Sequence, residues 1–316
     1  MADHVLAIDI GGTKLAVGLV DPSGAILRSS RAATPASDAE TIWKALAVLV
    51  GDVVRDDVPA AVGVGCGGPL EISAGVVSPL NIPGWRDFPL VARVRDLIPG
   101  RPVQMHNDAV AMAVGEHWRG AGRGTSNLLG MVVSTGVGGG LVLDGRVLSG
   151  PTGNAGHVGH ITVDPAGPPC ACGGIGCLEA IARGPAVVAA ALAQGWRPSG
   201  DEVSVGQVDG KALVADARRG DEVAVQALRR AGTAVGIAVA NAAFLLELDR
   251  VVIAGGLAVG GGDLVMGPAR EAFGRHARMD FAARCQIVPA ELGGDAGLVG
   301  AAALVLEPRY LEQALV

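Results

Sequence analysis

A three-strand unit built around a glycine turn occurs twice in this chain, and that repetition restricts the fold more than any other feature. Residues 5–10 are an apolar run, Gly11-Gly12-Thr13 interrupt it, and residues 14–20 resume it. Asp21-Pro22-Ser23-Gly24 then form a turn, after which 25–30 can pair as a third strand. The pattern returns at 128–133, which Ser134-Thr135-Gly136-Val137-Gly138-Gly139-Gly140 break. Residues 141–143 resume it, Asp144-Gly145 turn the chain, and 146–148 complete the set. Apolar runs punctuated by Gly, Asp and Pro read as antiparallel strands joined by tight turns. Two copies of one unit imply an internal duplication, and so two domains of one topology.

The remaining elements alternate. Helix is expected at about 39–55, strand at 60–65 with a glycine-rich loop after it, and strand at 102–106 leading into a helix near Asn107-Asp108. A long helix follows at about 222–246, a strand at 250–254 ending in Gly255-Gly256, a helix at 264–278, a strand at 284–288 and a terminal helix from Asp295. This predicts an α/β protein, and its 316 residues suffice for two cores. No low-complexity linker separates the halves, so the boundary is placed in the glycine-rich stretch 119–125.

Half of the residues are hydrophobic but only 3% are aromatic, and 49 are glycine, which suits closely packed layers with many tight turns. No uninterrupted apolar stretch reaches the roughly 18 residues of a spanning helix. Met1-Ala2-Asp3-His4 carry neither a charged leader region nor a cleavage site, so a cytoplasmic protein with no membrane partner is expected. With 25 Lys+Arg against 31 Asp+Glu the net charge is −6, and no basic patch is visible; nucleic acid is not expected as a partner.

Glycines at strand ends let backbone N–H groups approach an anion closely, because no Cβ stands in the way. Two such turns facing each other across a cleft, Gly11-Gly12 and Gly136 with its neighbours, would hold a polyphosphate from both sides. Thr13 and Thr135 can add hydroxyl donors, Lys14 a point charge, and Asp9 is placed to hold Mg2+ through water. Either turn alone also makes sense as a tight hairpin; the match of the two, with Gly255-Gly256 after a third strand, favours the anion site. No GxxxxGK[ST] occurs. Gly63-x-Gly65-x-x-Gly68 fits GxGxxG, but Pro69 follows and no helix opens there to present its N-terminus.

His160 precedes Cys170, Cys172 and Cys177, whereas Cys66 and Cys285 stand alone. This is a poor disulfide framework. Three thiolates and one imidazole make a closed tetrahedral set suited to a structural Zn2+, the alternative being three buried free thiols. Gly173, Gly174 and Gly176 let the short loop fold back so that the sulfurs converge, which would fix the orientation of His160 and Glu179.

At these residues the sequence resembles the ROK family of sugar kinases and sugar-responsive repressors, bacterial glucokinases in particular, within the actin-like ATPase superfamily. The resemblance rests on Asp9-Ile10-Gly11-Gly12-Thr13-Lys14, Asn107-Asp108-Ala109, Ser134-Thr135-Gly136-Val137-Gly138-Gly139-Gly140, Gly159-His160 and Cys170-x-Cys172-Gly-x-x-Gly-Cys177-x-Glu179. It covers nearly the whole chain. It implies two actin-like (ribonuclease H-like) domains around an interdomain cleft. These would be 1–118, with a C-terminal helix at about 296–316 packing back on it, and 119–295, which carries the zinc loop. It also implies ATP, Mg2+ and structural Zn2+, and a homodimer or homotetramer.

The resemblance assigns roles residue by residue. Asp108 matches the catalytic base, and Gly68, Asn81, Asn107, His160 and Glu179 match residues that face the sugar; Gly255 and Gly256 resemble the segment meeting adenosine. On spacing alone a helix N-cap is the better reading of Asp108, and it is the matching Asn107-Asp108-Ala109 context that favours the base. A helix N-terminus would also keep its carboxylate ionised, as a base at neutral pH requires. The implied reaction is transfer of the γ-phosphoryl group to a hexose hydroxyl, glucose 6-OH first.

One position departs from the family. Most ROK sugar kinases carry Glu three residues before the zinc histidine, and here it is His157. A carboxylate only accepts hydrogen bonds, whereas a neutral imidazole offers one donor and one acceptor. Either His157 still contacts the 1- and 2-hydroxyls of glucose, or the acceptor is an amino sugar, deoxy sugar or cyclitol. A non-catalytic sugar-sensing regulator of the same family is the rival reading. Such regulators carry a DNA-binding domain before the first phosphate turn, for which Asp9 is expected to leave no room.

Overall fold

The computed structural model of the chain describes residues 4–199 and 209–310. The first three residues, read above for a leader, and the last six of the helix expected over 296–316 lie outside the described residues. From the N-terminus come β1 (Val5–Ile10), β2 (Lys14–Val20), β3 (Ile26–Ala33), α1 (Ala39–Val54), β4 (Val62–Cys66), β5 (Leu70–Glu71) and β6 (Val76–Val77). Then follow α2 (Leu90–Leu97), β7 (Val103–Asn107), α3 (Asp108–Arg119), β8 (Leu128–Val133), β9 (Val137–Leu143) and β10 (Arg146–Val147). The remainder is α4 (Leu178–Ala182), α5 (Gly184–Ala193), α6 (Gly210–Arg218), α7 (Glu222–Leu246), β11 (Arg250–Ala254), α8 (Gly256–Gly261), α9 (Asp263–His276), α10 (Asp280–Ala283), β12 (Gln286–Pro289) and α11 (Ala296–Leu306).

Two five-stranded sheets form, in the orders β3-β2-β1-β4-β7 and β10-β9-β8-β11-β12. Each therefore runs third, second, first, fourth, fifth, and the repeat read from the sequence is a repeat of topology. In the first sheet β2 is antiparallel to both β1 and β3, while β4 runs parallel to β1 and to β7. The chain divides into two compact units: the described residues of Met1–Gly130, Gly140–Gly156 and Glu291–Val316, and those of Met131–Gly139 and His157–Ala290.

Both faces of the first sheet are buried. Leu6, Ile8 and Ile10 of β1 join Leu15, Val17 and Leu19 in a core shared with α1 and α2, while Val5 and Ala7 pack with Leu298, Ala301 and Ala302 of α11. Period-two alternation thus puts Asp9 on the α11 face, at the carboxyl end of an otherwise apolar strand. A polar side chain at that place needs a reason other than packing.

In the second unit α7 starts at the N-cap Asp221, which accepts from Ala224 N at 2.8 Å, and it lies along α9. The two helices approach closely because Gly232 and Gly236 face α9: a Cβ at Gly236 would lie 2.8 Å from that of Ala272. By length and composition α7 could cross a membrane (mean hydropathy 1.2 over its most apolar window), but 61% of that window is buried inside the protein, as in a core helix.

The sequence reading contained none of α2, α4, α5, α6, α8 and α10. Helix α5, Gly184–Ala193, is Ala and Val on nearly every side, so it shows no period to read. Helices α4, α8 and α10 have six residues or fewer. Strand β3 also runs on to Ala33, past the expected end at 30, because β2 pairs with it as far as Lys14↔Ala33.

Candidate active site

The first glycine turn is closed by Gly11 N donating to Lys14 O at 2.9 Å. Thr34, one residue past β3, secures it twice: its Oγ1 donates to Gly11 O at 2.6 Å and its N–H to Thr13 O at 3.1 Å. With those two carbonyls engaged, an anion meets the N–H side of the turn. Lys14 Nζ lies 4.0 Å from Asp9 Oδ2 and donates to Gly294 O at 3.3 Å, while Arg31 pairs with Asp295. Neither Thr34 nor Arg31 was singled out from the sequence.

Gly12 is glycine for a steric reason. A Cβ there would occupy the space of the Asn81 Cβ. The segment that carries Asn81 is folded over Gly68, with Leu80 N donating to Gly68 O at 3.1 Å. Gly12, Gly68 and Asn81, far apart in sequence, are thereby neighbours.

Strand β7 delivers Asn107 and α3 begins at Asp108. The N-cap is Asn107, whose Oδ1 accepts from Ala109 N at 2.9 Å. This corrects the capping alternative for Asp108, which is the first helical residue; its Oδ1 also accepts from Ala109 N, at 2.8 Å. A Cβ at Gly67 would lie 3.8 Å from Asp108 Oδ2. Enclosure raises the Asp108 carboxyl above the ordinary carboxylate range, outweighing the backbone N–H bonds that lower it. Burial thus works against the ionised state that the helix N-terminus favours. Asp9 is pushed up to about 6, by burial first and by the Asp108 charge second, against the pull of Lys14 and Arg31.

In the second unit, Ser134 N donates to Gly136 O at 2.9 Å and Gly184 N to Ser134 O at 2.7 Å, which shapes the second turn. Glu179 Oε2 accepts from Val137 N at 2.9 Å, so this carboxylate is tied to the turn itself, a link the sequence did not suggest. Thr135 is exposed. Gly255 has φ +101° and lies directly against the Val133 carbonyl, where no side chain fits, and a Cβ at Gly256 would be 3.8 Å from Ser134 Oγ. Glu179, Gly136, Gly255 and Gly256 are thus gathered at one end of the second sheet.

His160 closes a short 3-10 turn (Val158–His160) beside Cys170, Cys172 and Cys177, and the four potential ligand atoms all lie within 4.8 Å of one another. Cys170 Sγ to His160 Nδ1 and Cys172 Sγ to Cys177 Sγ are both 3.7 Å. A tetrahedron with metal–sulfur bonds of about 2.3 Å has edges of about 3.8 Å, so the residues fit Zn2+. Burial pushes the Cys177 thiol up to about 12, and a bound cation is what would keep it a thiolate. The loop closes through Cys170 N to Gly174 O at 2.8 Å, with Gly173 and Gly176 at φ +91° and +67°. Glu179 follows Cys177 by two residues at the start of α4, so the cluster fixes its origin. The rings of His157 and His160 are nearly parallel, 14° apart with centroids 6.3 Å apart, and His157 is exposed.

The model of the ROK family matches residues 5–308. The chain is 33% identical to a glucokinase from Thermotoga maritima, over 96% of this chain and 97% of that one. It is 37% identical to an N-acetylmannosamine kinase from Citrobacter koseri, over 95% and 97%. Among solved structures, a ROK hexokinase from Thermus thermophilus superposes with a TM-score of 0.82 at 37% identity, covering 95% of this chain and 96% of that one. A ROK family glucokinase from Streptomyces griseus, in complex with glucose and AMPPNP, does so at 0.80 and 36%, covering 95% and 98%.

Proposed function

Because the chain belongs to the ROK family, we propose that it is an ATP-dependent kinase of a hexose 6-hydroxyl, with Asp108 as the general base. The observation that carries this reading is the Asp108 carboxylate, enclosed at the start of α3 with its charge acting on Asp9. In the reaction Asp108 accepts the proton of the sugar hydroxyl, the hydroxyl oxygen forms a bond to the γ-phosphorus, and the bond to the β–γ bridging oxygen breaks to release ADP. A base whose proton affinity is raised by enclosure takes that proton more readily.

Phosphate oxygens are assigned to the N–H side of the Gly11–Lys14 turn and to the Ser134–Gly136 turn, with Gly255 and Gly256 meeting the adenosine. Mg2+, held through water by Asp9, would supply charge neutralisation on the phosphates. On the sugar we place Gly68, Asn81, Asn107, His157, His160 and Glu179. If Nδ1 of His160 binds Zn2+, its Nε2 must carry the proton and act as a donor to a sugar oxygen.

His157 favours a second reading of the acceptor. A 2-acetamido group presents a carbonyl that only accepts, and a carboxylate cannot donate to it, whereas an imidazole N–H can. N-acetylmannosamine kinases from several bacteria are 33–37% identical to this chain, a range that overlaps the 31–36% of the glucokinases. The deciding experiment measures ADP release by purified protein with ATP, Mg2+ and a panel: glucose, mannose, N-acetylmannosamine, N-acetylglucosamine, glucosamine, allose and several cyclitols. Release no greater than the sugar-free background with every acceptor would sink the kinase reading.

A further inference from the structure

We propose that His106 and Ser149 are a positioning pair, joining the strand that delivers Asp108 to the loop that enters His157, and that this pair sets affinity for the acceptor sugar. The proposal rests on the kinase reading above. His106 is fully buried on β7, two residues before Asp108. A buried imidazole needs partners, and those of His106 define its state. Its Nδ1 accepts from Asn107 N at 3.1 Å, which leaves Nε2 as the protonated nitrogen, and Nε2 lies 2.7 Å from Ser149 Oγ. The imidazole therefore donates to the serine.

Ser149 opens a loop that is closed and moored within the same unit. Ala155 N donates to Ser149 O at 2.9 Å and ties off the loop's far end. Asn154 reads both backbone groups of Leu70, accepting from its N–H at 3.3 Å and donating to its carbonyl at 2.8 Å, while Thr152 O accepts from Ile72 N at 3.4 Å. The loop thus has one anchor on the β5 hairpin and one on the base-bearing strand. His157 follows two residues after Ala155. An apolar side chain at 106 would fill the same core without holding anything. What the imidazole adds is a fixed distance between the start of α3 and the loop leading to His157. The first glycine turn and Gly255-Gly256 take no part in these contacts, so nucleotide affinity should be insensitive to them.

The test uses the full chain and four variants: Ser149→Ala and His106→Phe, which remove the hydrogen bond, and Ser149→Thr and His106→Gln, which keep a hydroxyl or an N–H donor. Glucose and N-acetylmannosamine serve as probes, by steady-state kinetics and by calorimetric binding. Loss of this half-buried hydrogen bond should raise the sugar KM and Kd about tenfold in Ser149→Ala and His106→Phe. The KM for MgATP should stay within about twofold, and the two conservative variants should recover most of the sugar affinity. Ser149→Ala with unchanged sugar affinity overturns the proposal, as does a folded Ser149→Thr or His106→Gln as impaired as its partner variant. A wild-type protein that binds sugar but turns over none would instead count against the kinase reading, and the calorimetric comparison would still decide on the pair.

Discussion

Asp9 and Asp108 come from different elements, the end of β1 and the start of α3, yet the charge of Asp108 reaches Asp9. Burial first, and the neighbouring Asp108 charge second, push Asp9 up to about 6, while burial alone raises Asp108. One enclosed carboxylate thus disfavours ionisation of another, an arrangement that packing would not select. If Asp108 takes the proton of the acceptor hydroxyl, Asp108→Asn should lower kcat about a thousandfold. Calorimetric sugar affinity should remain measurable, because the amide keeps the size of the side chain. Near-normal turnover in this variant would remove Asp108 from the base role.

The raised Asp9 also fixes a pH dependence. Between about pH 4 and 6 the native state holds a proton that the unfolded chain has already lost, its ordinary value being 3.8. Stability therefore falls as pH rises through that window, and the penalty stays in place above it. The side chain keeps 16% exposure, so water screens part of the effect. Asp9→Asn should accordingly stabilise the nucleotide-free protein at pH 7.5 by about 1–2 kcal/mol and not at pH 4. Urea unfolding at both pH values reads the difference. An equal change at pH 4 and pH 7.5 would show that the buried charge is not its source.

Gly12 offers a steric test. Its Cα lies against Asn81, so Gly12→Ala must displace the segment that also covers Gly68. Overpacking of this kind amounts to about 1–3 kcal/mol, and we expect the KM values for both MgATP and sugar to rise together. Gly260→Ala is the control, since nothing lies within 4 Å of a Cβ there. If the Gly12 variant altered neither KM, the contact with Asn81 would have no bearing on either substrate.

The parts of this arrangement that were legible in the sequence are those whose partners are close along the chain. The Gly11–Lys14 turn is sealed within four residues, and Cys170, Cys172 and Cys177 close their own loop through Cys170 N and Gly174 O. The repeated unit was visible because both copies begin with an apolar strand that ends in glycine. Thr34 was not visible, because it reaches the turn through the register of β2 on β3, a property of pairing rather than of composition. The clasp of Glu179 on Val137 spans 42 residues and leaves no local trace. Nor did α5, whose Ala and Val side chains carry no period. Asn107 was read for the sugar, yet its cap on Ala109 takes one of the two lone pairs of Oδ1, so its amide N–H groups and a single acceptor position remain to be offered.

The cysteine cluster yields a compositional prediction. Freshly purified, unchelated protein should contain about one equivalent of zinc, as a closed Cys3His site binds it. Less than about half an equivalent by elemental analysis would count heavily against the assignment. Because Glu179 sits two residues after Cys177 and His160 is itself in the cluster, Cys172→Ser should lower the melting temperature and raise the sugar KM. A variant with normal zinc content and normal sugar affinity would show that Cys172 is not a ligand.

The proposed choice between acceptors rests on the hydrogen-bonding sense of His157. An exposed imidazole, nearly parallel to the His160 ring, can donate to an acetamido carbonyl, whereas a carboxylate at the same place can only accept from a hydroxyl. His157→Glu should therefore lower kcat/KM for N-acetylmannosamine and raise it for glucose. A site that loses a needed donor rejects its substrate by leaving a polar group unpaired, and the preference should move by about a hundredfold. His157→Gln, which retains both a donor and an acceptor, should keep the wild-type preference. Were the Glu and Gln variants to treat the two sugars alike, the side chain at 157 would not be reading carbon 2, and discrimination would have to lie with Asn81, Asn107 or Glu179.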